Sequence, residues 1–142
     1  YFTEAADIVA QTGAEAGYTP DHKLCASDVK AGRPYPWMIY RLMEELDVCP
    51  PESVVSVGDT MVDIETGLNG HFWTVGVVVT GNEMGLTQNE YEALSSKEQE
   101  ARISTIREKM YRGGAHYVID TMDQLPSVVE RINRRLSCGE KP

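Results

Sequence analysis

The 142-residue sequence predicts an α/β domain built on a parallel sheet. Two observations lead there. Short strand-like runs (Ser53 to Val57, Phe72 to Val79, His116 to Ile119) alternate with segments of helical periodicity. Phe72 to Val79 is apolar at nearly every position, as a strand covered by helices on both faces must be. The length, with 42% hydrophobic residues and no linker or repeat, suits one domain with a real core, residues 1–142.

The elements follow in order. Phe2, Ala5, Ala6 and Val9 recur at helical spacing, so residues 2–16 read as a helix, with Gly17 at its C-terminal glycine position. His22 to Ala26 reads as a short strand. After Pro34 and Pro36 a second helix carries Ile39, Leu42, Met43 and Leu46 at i, i+3, i+4, i+7, and Cys49-Pro50-Pro51 breaks it. Ser53 to Val57 is the next strand, and Thr60 to about Leu68 the next helix, ending near Asn69-Gly70. Thr80 to Thr87 reads as a loop on its Gly81, Asn82 and Gly85. Residues 97–112 form an exposed helix, with Glu98 placed to pair with Arg102 and with Ile103, Ile106 and Met110 inward. Gly113-Gly114 stops it. The closing helix carries Leu125, Val128, Val129, Ile132 and Leu136. Its start has two readings, a capping box from Thr121 to Gln124 or a first turn at Pro126.

Composition narrows the function. Thirteen basic against 22 acidic residues leave a net charge of −9, which argues against nucleic-acid and anionic-membrane surfaces. No apolar run approaches the ~20 residues of a bilayer span. Three dispersed cysteines, Cys25, Cys49 and Cys138, with no C-x-x-C pair and no Asn-x-Ser/Thr sequon, fit a reducing cytoplasm. A chain that opens at Tyr1 without Met, straight into a helical pattern, is expected to be a piece of something longer.

Chemistry concentrates after the strand ending at Val57. Gly58 permits a tight turn, Asp59 stands at the strand tip, and Asp63 follows one helical turn later. Ligands in such sheets bind beyond the carboxyl ends of the strands. Two carboxylates there suit Mg²⁺, which takes oxygen ligands, few of them from protein. The competing reading is helix capping, because Thr60 and Asp63 match T-x-x-D; capping by Thr60 and metal binding by Asp59 are compatible.

A second feature is Gly32-Arg33-Pro34-Tyr35-Pro36-Trp37. Arg33 stands before a helix start and offers a bidentate donor to phosphate oxygens. By itself it reads slightly better as a surface Arg beside a proline-started helix. An acidic protein acting on an anion must nonetheless create positive potential locally, and Arg33 plus a metal ion supplies it. His22, His71 and His116 lie in no metal-ligand spacing, and Trp37 and Trp73 read as core or wall residues.

Gly32-Arg33-Pro34-Tyr35-Pro36 with Gly58-Asp59-Thr60-x-x-Asp63 resembles the third and fourth motifs of the haloacid dehalogenase superfamily. Gly17-Tyr18-x-Pro20-Asp21, Trp73-Thr74-Val75-Gly76-Val77, Glu83-Met84-Gly85-Leu86-Thr87 and Gly114-Ala115-His116 extend the likeness to its phosphonoacetaldehyde hydrolase family, in order and along nearly the whole chain. The resemblance implies Mg²⁺-dependent cleavage of the P–C bond of a small-molecule phosphonate to acetaldehyde and phosphate. In that family a cap-domain Lys forms a Schiff base with the aldehyde and a core Asp attacks phosphorus, giving an aspartyl-phosphate. By position, Asp59 is implied as the metal ligand, Arg33 as the catalytic and substrate-binding cation, and Asp63 as a support for the site. The two alternatives are a related phosphatase acting on phosphate esters and a non-catalytic binding domain.

The resemblance also implies a three-layer Rossmann-like sheet of the haloacid dehalogenase type, here incomplete, with N-terminal strands and cap domain missing. The family's nucleophilic Asp and Schiff-base Lys precede the matched stretch, and Lys23, Lys30, Lys97, Lys109 and Lys141 fall outside the cap. The chain alone is therefore expected to be inactive. Without the central strands it is expected either to re-pair its remaining strands or to lean on a partner chain. A homodimer is implied for the whole enzyme, with no nucleic-acid or membrane partner.

Overall fold

The computed structural model describes residues 3–142, so Phe2 lies outside the described residues. Nine helices and strands are described: α1 Thr3–Glu15, α2 Trp37–Glu45, β1 Val55–Gly58, α3 Met61–Asn69, β2 Trp73–Val77, α4 Gln88–Glu92, α5 Ser96–Arg112, β3 Tyr117–Ile119 and α6 Leu125–Ser137. The three strands form one parallel sheet in the order β1-β2-β3, with Val57 opposite Val75 and Val77 opposite Ile119.

Alternation along β2 divides the core. Trp73, Val75 and Val77 share one buried cluster with Tyr117, Ile119, Val128 and Ile132, which places α6 on that face. Ile64, Ile103, Ile106 and Met110 cluster on the other side with Val78 and Met84, which places α3 and α5 there. All five residues of β2 are buried, so the apolar run that announced this strand is the centre of the molecule. The result is helix–sheet–helix, as the sequence predicts.

Several boundaries differ from expectation for local reasons. Residues 22–25 form no strand; a 3-10 turn at Ala26–Asp28 follows, closed by the Asp28 carboxylate accepting from Cys25 N at 2.7 Å. Lys23 pairs with Asp7 of α1 and His22 meets Glu45 of α2, so this segment is tied to helices and has no ladder partner. Glu98 does not form an ion pair with Arg102 in the structure. Its carboxylate accepts from Ser95 N (3.0 Å) and Ser95 Oγ (2.6 Å), closing the N-terminus of α5. At the last helix the proline reading prevails: α6 starts at Leu125 with Pro126 in its first turn, and Gln124 accepts from Asp120 N rather than capping from Thr121. The expected loop after β2 holds a 3-10 turn at Asn82–Met84 and leads into α4. Trp37 is exposed and stacks on Tyr35, whereas Trp73 is fully buried.

The expected re-pairing of strands does not occur. The order is sequential, and among the described residues the outer edge of β1 carries no strand. Beside it lies an apolar cleft of about 370 Å³ between Ile39, Leu42 and Met43 of α2, with Leu46 just after the helix, and Val54 to Val57. No residue of α2 is fully buried, and Ile8 and Val9 of α1 are exposed.

One contact in the sheet is pH-sensitive. His116 Nδ1 accepts from Thr74 N at 3.0 Å, while His116 N donates to Thr74 O at 2.9 Å, so the imidazole extends the β2–β3 ladder by one rung. Trp73 lies edge-on to that ring and under Arg135, whose guanidinium carbon sits 4.5 Å from the indole centroid. Burial, helped by the charge of Arg135, holds the His116 imidazole below its ordinary value. A depressed folded value means the unfolded chain takes up protons first as pH falls. Stability from neutral His116 is thus complete above about pH 6.5 and is lost as pH falls through the lower folded value. His116→Asn keeps an acceptor near the Nδ1 position and does not titrate. Urea unfolding at pH 7.5 and at about pH 5 should show the wild type losing more stability than this variant over that interval.

Candidate functional site

The site stands where the chain leaves β1. Gly58 ends the strand and the backbone must turn at once into α3. A Cβ at Gly58 would lie 2.2 Å from the Asp63 Cβ, so only glycine lets the Asp63 side chain fold back over the strand end. Asp63 then closes the turn. Its Oδ2 accepts from Thr60 N (3.0 Å), Thr60 Oγ1 (2.6 Å) and, more weakly, Asp59 N (3.3 Å). Its Oδ1 accepts from Arg33 Nη1 at 2.5 Å. Capping and the Arg33 contact thus use different oxygens of one carboxylate.

Burial works to raise the Asp63 value, but the hydrogen bonds from Thr60 and the contact and charge of Arg33 outweigh it and hold the carboxyl below the usual aspartate range. Asp63 therefore stays ionised throughout the physiological range. Arg33 keeps about half of its side chain exposed.

Asp59 is held from the opposite side. Its Oδ2 accepts from Asn82 N at 2.9 Å and from Asn82 Nδ2 at 3.0 Å. Asn82 opens the 3-10 turn that follows β2, so two successive strand ends meet at this carboxylate. Gly81 permits the approach: a Cβ there would lie 2.8 Å from the Asp59 Cβ and 2.6 Å from Val77 O. Next to Asn82, Glu83 accepts from Met61 N (3.3 Å) at the start of α3 and pairs with Lys109 Nζ (2.5 Å) on α5. Among the described residues, Oδ1 of Asp59 takes no hydrogen bond and Asp59 has no cationic partner.

Arg33, Asp59 and Asp63 are thus joined at one end of the sheet, with Asp63 between the other two. A cavity of about 460 Å³ lies on the far side of Gly81, lined by Thr80, Gly81, Thr87 and Tyr91 among others; none of Arg33, Asp59 and Asp63 lines it. Sequence reasoning missed Asn82 and Glu83. They lie 23 and 22 residues from their partners Asp59 and Met61; the available signals were that this loop leaves the carboxyl end of the neighbouring strand and that Glu83 opens the stretch to Thr87 that resembles the family. For a metal ion, the described residues contain no cluster of three or more His, Cys, Asp or Glu side chains able to hold one. They do contain the open oxygen of Asp59, which fits a single ligand of an ion that keeps several waters.

The chain is similar to known proteins along its length. A family model described as haloacid dehalogenase-like hydrolase matches residues 2–71. Over that stretch, just under half of its length, the chain is similar to haloacid dehalogenase-like hydrolases. It is also 41% identical over its whole length to a phosphonoacetaldehyde hydrolase-like protein of Syntrophobacter fumaroxidans, covering 51% of that protein. It is 43% identical over 95% of its length to a phosphonoacetaldehyde hydrolase of Bacillus cereus, again covering 51%. The crystal structure of a phosphonoacetaldehyde hydrolase-like protein from Oleispira antarctica superposes with a TM-score of 0.96 at 40% identity, over all of this chain and 51% of that one. The chain spans about half the length of the curated relatives it matches.

The geometry separates two costs at Asp63. Asp63→Ala removes the acceptor of the α3 cap and should destabilise the protein by about 1–2 kcal/mol. Arg33→Ala removes only a half-exposed ion pair and should cost under about 1 kcal/mol. Urea denaturation of both variants at neutral pH checks the order.

Proposed function

We propose that this chain carries the Asp59–Arg33 side of a Mg²⁺-dependent phosphonoacetaldehyde hydrolase active site. The observation that carries the reading is a charge pattern. Three carboxylates surround the start of α3, and Arg33 neutralises Asp63 while Lys109 neutralises Glu83. Asp59 alone is left without a cation among the described residues, with one oxygen open at the strand end where ligands bind in such sheets. The names of the relatives supply the substrate class.

In this reading Asp59 offers Oδ1 to magnesium. The bound ion supplies positive charge to offset that of the phosphoryl oxygens. Arg33, steadied by Asp63 at one nitrogen, directs its free N–H groups at the same phosphoryl group and stabilises charge gained in the transition state. Asp63 keeps Arg33 oriented and stays ionised to do so. The nucleophilic Asp and the Schiff-base Lys that the family uses match no position in this stretch, so the chain alone is proposed to bind without turnover. No described helix is long and apolar enough to cross a membrane, and a cytoplasmic homodimer is the proposed setting of the whole protein.

Two variants of the full-length protein test the roles. Asp59→Ala should abolish Mg²⁺-dependent release of acetaldehyde; release near the normal rate would overturn the assignment. Arg33→Lys keeps the charge but loses the planar fork, and should lower kcat by about tenfold or more. Borohydride trapping in the presence of substrate separates phosphonate cleavage, which leaves a reduced lysine adduct, from phosphate-ester hydrolysis, which leaves none.

A further inference from the structure

We infer that Asn82 is a positioning residue for Asp59: it occupies one carboxylate oxygen and so aims the other outward. The inference rests on the reading of Asp59 as a magnesium ligand. A carboxylate on a short side chain rotates about two bonds, and an exposed one samples many orientations. Here both donors of Asn82, its backbone N–H and its side-chain amide, converge on the same oxygen, Oδ2, at 2.9 and 3.0 Å. That arrangement fixes the carboxylate plane and leaves Oδ1 alone with its lone pairs.

The turn that presents Asn82 is itself anchored. Glu83 spans from Met61 N to Lys109, tying the turn to the first N–H of α3 and to α5. Gly81 brings the turn close enough to touch the Asp59 side chain. Asn82 therefore reports the position of β2's end to the residue at β1's end. Groups that orient a metal ligand in this way typically change metal affinity by about 10–100-fold when removed.

Calorimetric titration of the full-length protein with Mn²⁺, as a probe of the magnesium site, tests the inference without reference to turnover. Asn82→Ala should weaken Mn²⁺ binding about tenfold with an unchanged melting temperature, because the backbone N–H remains and the side chain is exposed. Asn82→Ser should recover most of the affinity. Oδ2 already sits 2.9 Å from Asn82 N, so a hydroxyl one bond nearer the backbone still reaches it. Asp59→Ala is the reference and should bind no Mn²⁺ at this site. Wild-type affinity in Asn82→Ala beside a defective Asp59→Ala overturns the positioning role and leaves the metal reading intact. A loss in Asn82→Ala that Asn82→Ser does not recover, or that comes with a lower melting temperature, also overturns it. Undiminished binding in Asp59→Ala overturns the metal reading itself, and the role of Asn82 with it.

Discussion

The Asp63 carboxylate is the constraint on which the rest of the site depends. One oxygen completes the first turn of α3 and the other holds Arg33, which enters from 30 residues earlier in the chain. The Arg33–Asp63 pair alone is too exposed to fix that loop. It acts together with two contacts at the far end of α3. Asn69 Nδ2 donates to Pro34 O at 3.0 Å, and Tyr40 OH reaches Gly70 O at 3.4 Å while its ring meets Phe72 edge-on. The segment bearing Arg33 is thus fastened to both ends of one nine-residue helix. Its position follows from the position of α3, and α3 is set by the buried Ile64 against the sheet.

The sheet explains why the polar groups gather at one end. In a parallel sheet every strand exits on the same side, so the residues after β1 and after β2 are neighbours although 23 positions separate Asp59 from Asn82. Both faces of the sheet are taken by helices, which leaves the strand ends as the place where polar side chains reach solvent without breaking the core. The same geometry leaves β1 as an edge strand. It is only four residues long, and α2 stands beside it across an apolar cleft, so its unpaired edge is short and partly screened.

What was legible in the sequence follows from the range of the interactions. Phe72 to Val79 and the Gly58–Asp63 turn are written in consecutive residues, because burial of a central strand and capping of a helix are local demands. His22 to Ala26 misleads because strand propensity is not a partner: without a neighbouring ladder, its side chains pair with α1 and α2 instead. Glu98 misleads because two local partners compete. Arg102 at i+4 offers an exposed ion pair, while Ser95 offers two donors that would otherwise go unpaired at the helix start, and the cap wins. The contacts of Asn82 and Glu83 are invisible from one sequence: Asn82 marks a turn and Glu83 opens a stretch that resembles the family, but nothing in the loop marks the residues they will meet across the sheet.

If Asp59 is a magnesium ligand, as proposed, the electrostatics of the strand end give the ion its role. A phosphoryl dianion approaching this surface meets a protein of net charge −9. Arg33 cannot offset that by itself, because its charge is paired with Asp63 at 2.5 Å. The Lys109 charge is likewise committed to Glu83. Subtracting the two ion pairs from three carboxylates leaves one negative charge, on Asp59. In the proposed reading, that charge alone would oppose an anionic substrate. A divalent cation on the open oxygen of Asp59 would reverse the sign, turning −1 into about +1, and Arg33 would then not be the sole source of positive potential. In the proposed reading, that reversal is what would reconcile the protein's acidity with an anionic substrate.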